Sequence, residues 1–170
     1  LESLTEYYLK IDATAFDDPS GNSYAGIHDT TSLSFTTGDA VDPTLTSSNP
    51  ADDATAIAED SNIVLNFTEA VDAESGNIVI YKTSDDSVVE SIDVTSNQVT
   101  GSGTTQITIN PSVTLESSTE YYVKIDTTAF DDPNGNSYAG ITDTTSLSFT
   151  TDDTTAPTIT STTPVDNATL

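Results

Sequence analysis

The sequence predicts an all-β protein, an antiparallel sandwich of two sheets and about seven strands, written as a tandem repeat. Three observations carry this. Apolar residues recur at every second position in short runs, and no stretch offers a helical apolar stripe of useful length. The runs are rich in Thr, Val, Ile and Tyr, and clusters of Asp, Asn, Gly, Ser and Pro separate them. Sliding the chain by 114 positions lays Leu1 on Leu115 and leaves 41 of 56 overlapping residues identical.

The repeat sets the expected boundaries. Mismatches are mild in the body (Leu9 against Val123, Ser20 against Asn134, His28 against Thr142) and gather near Gly38 to Asp42, as in a linker. The expected division is 1–38, the C-terminal part of one repeat; 39–42, a linker; 43–152, a complete repeat; 153–156, a linker; and 157–170, the opening of the next. Residues 1–38 hold two strands without sandwich partners. They are expected to be disordered or completed by another chain, with 156–170 of a neighbour as one source.

The expected strands follow in order. Residues 43–49 come first, then 62–68 with Ile63, Leu65 and Phe67, and 77–83 with Ile78 and Ile80. Next come 88–94, and 98–109 with Ile107 and Ile109 and a break at Gly101–Gly103. Tyr121, Val123 and Ile125 mark 119–127, and Leu147 and Phe149 mark 145–151. With Leu115 these residues form the expected core, and a domain of this size can bury one. Tyr121 stands where a tyrosine corner would, its hydroxyl reaching back to the backbone of the turn Glu116–Thr119. The one helical expectation is a single turn near Asp72 or Phe130.

Charge narrows function. Twenty-eight Asp and Glu face three lysines and no arginine, for a formal charge of −25. Nucleic acid is excluded as a partner, because phosphate contact needs clustered cations. An anionic membrane surface repels the chain, and no apolar run approaches the roughly 20 residues of a membrane span. Most carboxylates must be solvated, screened by salt or bound to metal, which points to a salty or calcium-containing exterior. Cysteine is absent, so disulfides, thiol catalysis and Cys-based zinc sites are excluded.

The order of motifs resembles a known family. "PTLTSSNPADDATAIAEDSNIVLNFTEAVD" from Pro43 to Asp72 is followed by "GNIVIY", then by "STEYYVKID". A D-x-x-G-N loop (Asp132, Gly135, Asn136) and a closing "SLSFTT" complete the series. The whole is similar to the bacterial Ig-like domain of S-layer proteins and large surface adhesins. The resemblance implies an antiparallel Ig-like sandwich, extracellular at the bacterial cell surface and used in series as a spacer, lattice or adhesin module.

Three acidic groups are candidate calcium sites. In the loop from Asp132, oxygen-bearing side chains fall at positions 1, 3 and 5 (Asp132, Asn134, Asn136), and Asp143 at position 12. Alternate side chains and one distant carboxylate suit a hard cation. The first copy repeats the pattern with Asp18, Ser20, Asn22 and Asp29. The spacing departs from an EF-hand: Ser137 replaces the glycine at position 6, the closing residue is Asp, and no helices flank it. The same stretch also reads as a plain turn, Pro133 setting φ and Gly135 supplying φ > 0. The second group is Glu69, Asp72 and Glu74, expected on the loop after the "NFTE" strand. The third lies at the junctions: Asp39, Asp42, Asp52 and Asp53, then Asp152, Asp153 and Asp166. Solvated surface charge is the competing account for both.

Catalysis has little to stand on. The single histidine, His28, becomes Thr142 in the next copy, and no serine has a nucleophile-elbow context. Asn66 and Asn167 fit the glycosylation pattern, which Thr- and Asn-rich sequence produces easily. The expected function is a non-enzymatic, calcium-stiffened spacer in adhesion or biofilm attachment. Its partners would be neighbouring repeats and other copies of the same protein. Self-assembly as an S-layer or filament subunit is the alternative. A carbohydrate-binding module is weaker, with Tyr24/Tyr138 and Tyr8/Tyr122 as the candidate exposed aromatics.

Overall fold

A computed structural model describes residues 1–163 and 165. Asp166, Asn167 and most of the end of 157–170 lie outside the described residues. Twelve strands and no helix occur among the described ones. The first pair, β1 (Glu6–Tyr8) and β2 (Ser34–Thr36), belongs to residues 1–38; the other ten build the sandwich.

One sheet runs β4 (Ala54–Ile57), β12 (Ser148–Thr151), β10 (Glu120–Ile125), β6 (Asn77–Lys82), β7 (Ser87–Asp93). The other runs β11 (Phe130–Asp131), β5 (Ile63–Ala73), β9 (Thr104–Ile109), β8 (Val99–Thr100), and β3 (Leu45–Asn49) also pairs with β5. Pairing is antiparallel except where β12 runs parallel to β4. A cis peptide joins Asn49 to Pro50 where the chain crosses from β3 to β4.

The period-two residues all point inward. Ile63, Leu65, Phe67, Ile78, Ile80, Ile107, Ile109, Leu115, Tyr121, Val123, Ile125, Leu147 and Phe149 are buried, as the sequence predicts. The core also takes Val71, Ile92, Val94, Ala129, Phe130, Tyr138 and Ile141. The expected helical turn is corrected at both places: Asp72 lies in β5 and Phe130 in β11, paired to each other's strand by Phe130↔Ala73 and Asp131↔Asp72. A buried Phe130 takes its partner from across the sheet rather than from its own turn.

Tyr121 does form the corner. Its hydroxyl accepts the Glu116 N–H at 2.8 Å, and Tyr7 accepts the Glu2 N–H at 2.8 Å in the first copy. Tyr121→Phe should cost about 1 kcal/mol, the net worth of one such bond. Chemical denaturation with an unchanged m-value would measure it, and a neutral result would remove the corner's role.

Residues 1–38 carry local pairing of their own. They keep the local fold of their copy: Glu6↔Thr36 matches Glu120↔Thr150, and the Ile11↔Ile27 bridge matches Ile125↔Ile141. Short-range pairing and turn chemistry suffice for this much. Burial does not follow: Phe16 is 61% exposed where its counterpart Phe130 is 0%.

Candidate metal centre

An irregular stretch of β5 builds the site. Asn66 pairs with Gln106, but the next pairing is Val71 with Thr104, so the ladder slips between them. Extra residues in one strand re-aim its side chains. Glu69 and Asp72 therefore sit in a strand, not on the expected loop, and Glu69 is aimed at the linker. The strand continues past Thr68 because Val71 is fully buried and β11 takes over the pairing.

Glu69 meets Asp39 from the linker and Asp132 from the loop after β11. One carboxylate oxygen from each lies within 4.8 Å of the others, the one such acidic group among the described residues. Asp132 is 3% exposed. Its Oδ1 accepts the N–H groups of Asn134 and Asn136 at 2.8 Å, and its Oδ2 accepts the Asn136 side-chain amide at 2.8 Å. Burial pushes this carboxyl up, but the Asn136 and Asn134 donors outweigh burial and hold it below the usual range. It is a fixed, ionised acceptor. Asp39 Oδ1 accepts the Ser3 hydroxyl at 2.9 Å and the Val41 N–H at 3.1 Å. Residues of the first copy and of the complete repeat thus meet at one point.

The charge there is uncompensated. Desolvation pushes Glu69 up from the ordinary 4.5, and the charges of Asp39, Asp132 and Asp42 add to it. All three lysines are engaged elsewhere. Lys82 pairs with Glu116, Lys124 lies over Tyr81 and Tyr122, and Lys10 lies over Tyr8. Three carboxylates offering only hard oxygen suit calcium better than a soft or nitrogen-preferring metal.

The other candidates are placed as follows. Asp42 contributes charge at Glu69 without joining the group. Asp143 does not join Asp132. Its carboxylate takes the hydroxyl of Ser146 and the N–H groups of Thr145 and Ser146, which hold it well below the usual range. Asp29 does the same with Thr31 and Ser32. Asp18 and Asn22 copy the Asp132–Asn136 loop, with Asp18 Oδ2 accepting the Asn22 amide at 2.8 Å. Asp72 accepts the Ser102 hydroxyl at 3.2 Å. Asp52 and Asp53 accept from Ser148, tying the β3–β4 crossover to β12.

Asp153 occupies the position of Asp39 one period on. Its Oδ1 accepts the Thr155 N–H at 3.0 Å, and Thr154 N–H donates to Ser117. Ala40 N–H donates to Ser3 in the same way. The two junctions share these bonds, while the Ser3 hydroxyl bond to Asp39 has no counterpart at Asp153.

The candidate aromatics behave differently in the two copies. Tyr122 and Tyr138 are buried, whereas Tyr8 and Tyr24 are exposed. Tyr122 stacks on Tyr81 at 4.9 Å and donates its hydroxyl to Asp86, and burial pushes Tyr138 up to about 12. The complete repeat therefore presents neither candidate tyrosine as an open sugar platform. Asn66 is held by Ser47 and Gln106 within the sheet face.

The profile of the bacterial Ig-like domain family matches residues 39–151. No curated protein matches the chain. Among solved structures, CopC from Methylosinus trichosporium OB3b is 17% identical with a TM-score of 0.48, over 68% of this chain and 99% of that one. The N-terminal part of the bacterial S-layer protein SbsC is 21% identical with a TM-score of 0.43, over 66% of this chain and 24% of that one. A longer SbsC structure is 19% identical with a TM-score of 0.42, over 69% of this chain and 14% of that one. The family match spans most of the chain and coincides with the ten-strand sandwich just described, so the chain belongs to the bacterial Ig-like domain family, whose members are typically non-catalytic.

Proposed function

We propose that the repeat is a non-catalytic spacer of a surface or extracellular protein, serving adhesion or biofilm attachment and stiffened by calcium at its junctions. Family membership supports the surface setting. The observation that carries calcium is the meeting of Asp39, Glu69 and Asp132 at the linker with no lysine near them. A cation there would be held by the linker, by β5 and by the Asp132 loop, so it would fix the angle between successive units. Neighbouring repeats are the partners, with Asp153 serving the next junction. One period, 43–156, carries 19 acidic residues and two lysines, and a divalent ion relieves that repulsion where it is greatest.

The sign of the effect follows from Glu69. A carboxyl raised in the folded chain binds protons more tightly there than in the unfolded chain. Its contribution to stability falls as pH rises from about 4.5 through the raised value, and stays lost at neutral pH. Without calcium, Glu69→Gln should therefore raise the melting temperature at neutral pH.

With calcium in the millimolar range, each site of extracellular affinity should add on the order of 1 kcal/mol. The measurement compares calcium with sodium chloride at matched ionic strength in wild type, Glu69→Gln and Asp132→Ala. The expected result is a calcium-specific rise that both variants lose. Equal stabilisation by the two salts, or an undiminished response in Asp132→Ala, would mean that the charge is only screened.

A further inference from the structure

We propose that Asn134 is a self-modifying residue, which deamidates by attack of the Gly135 backbone nitrogen and leaves a carboxylate beside the acidic cluster. Asn134 is the one asparagine in the sequence that a glycine follows. It is exposed, at the tip of the loop whose base is Asp132. Gly135 has φ +89°, and no atom lies within 4 Å of where a side chain would project. Glycine brings no side chain of its own to hinder attack by its nitrogen on the Asn134 side-chain carbonyl carbon. Two hydrogen bonds hold the loop backbone here, Gly135 N–H to the Asp132 carbonyl at 3.0 Å and Asn134 N–H to the Asp132 carboxylate at 2.8 Å, and the first must open before the nitrogen can attack.

The chemistry is complete with water alone. The Gly135 nitrogen loses its proton and bonds to Cγ of Asn134, and the side-chain amide leaves as ammonia, closing a five-membered imide. Water then opens the imide at either carbonyl, giving aspartate or isoaspartate at position 134. The net change is gain of water, loss of ammonia and one added negative charge. Reopening at the backbone carbonyl lengthens the main chain by one carbon. That displaces the Asn134 and Asn136 N–H groups now held by Asp132.

The duplicated loop is an internal control. Its Gly21 has φ +86°, again with nothing within 4 Å, and Asp18 makes the same bonds to positions 20 and 22. Ser20 stands in place of Asn134, so that loop has the backbone for the reaction and lacks the amide. Only the second loop carries an asparagine directly ahead of its glycine.

The test incubates the full chain, folded and without divalent cation, in mildly alkaline buffer, and follows it by ion exchange and peptide mass mapping with isoaspartate detection. The expected result is a growing acidic species, modified at position 134. Asn134→Gln should lose it, and Ser20→Asn should gain a second modified site at position 20. Two results would overturn the proposal. In one, the folded chain stays unmodified while the same chain in denaturant converts. In the other, Asn22 or Asn136, each followed by Ser, converts first. Calcium plays no part in this readout, so the proposal stands or falls separately from the cation reading.

Discussion

Phe67→Ala should lower the stability of the complete repeat by about 3–5 kcal/mol, the usual cost of deleting a buried ring. Phe67 is 5% exposed. Its ring lies 5.7 Å from that of Phe130 and 5.1 Å, edge-on, from that of Tyr138. It is the apolar link between β5 and the loop that presents Asp132. The neighbours come from a paired strand and a hydrogen-bonded loop, so they cannot collapse far into the gap. In a domain of this size the melting temperature should fall by roughly 10–20 °C. Phe67→Leu, which refills much of the space, should lose distinctly less. An Ala variant that melts with the wild type would mean that this ring does not join β5 to the loop that presents Asp132.

Gly140→Ala should be nearly as damaging for a different reason. Gly140 has φ +73°, and an added Cβ would sit 2.5 Å from the Ile125 carbonyl oxygen and 3.0 Å from the Thr127 nitrogen. Those are backbone atoms and cannot rotate away. Ile125 and Ile141 exchange hydrogen bonds in both directions at 2.9 Å, so relieving the clash means opening that bridge. We expect a loss of about 3 kcal/mol, from left-handed strain plus the broken contact. Gly135→Ala is the comparison. Its φ is +89° with nothing nearby, so strain alone remains, about 1 kcal/mol. If the two substitutions cost the same in denaturant melts, close approach at Gly140 contributes nothing.

The parts of the fold that were legible are those with a period. Ile63, Leu65 and Phe67, or Tyr121, Val123 and Ile125, announce a buried face because alternate side chains share one side of a strand. β4 and β11 have no such signature. Ala54–Ile57 is short and earns its place by parallel pairing with β12, while Phe130 is one apolar residue among acids. Tyr138 and Ile141 are likewise single buried residues in loops, where no neighbouring position repeats the signal.

The site was legible as residues but not as a constellation. Asp39, Glu69 and Asp132 are all conspicuous acids, yet they are far apart in the chain. What joins them is a slipped ladder in β5, and strand slippage has no mark in the sequence beyond Val71. Asp143 illustrates the converse. Its position 12 spacing invites a role at the loop, but Thr145 and Ser146 follow it closely enough to satisfy both its oxygens locally. Short-range donors captured it before any distant partner could.

The parallel pairing of β4 with β12 has a mechanical consequence. β4 lies near the entry of the repeat and β12 at its exit, with Phe149 paired to Ala54, Thr151 paired to Ile57 across a one-residue shift, and Asp152 N–H on the Ile57 carbonyl at 2.8 Å. Because the two strands run the same way, tension drawn through entry and exit slides one along the other. The bonds between them lie across that motion and load together, instead of unzipping from one end. A tethered repeat of this topology should resist stretching until the whole patch yields at once, and then lengthen abruptly.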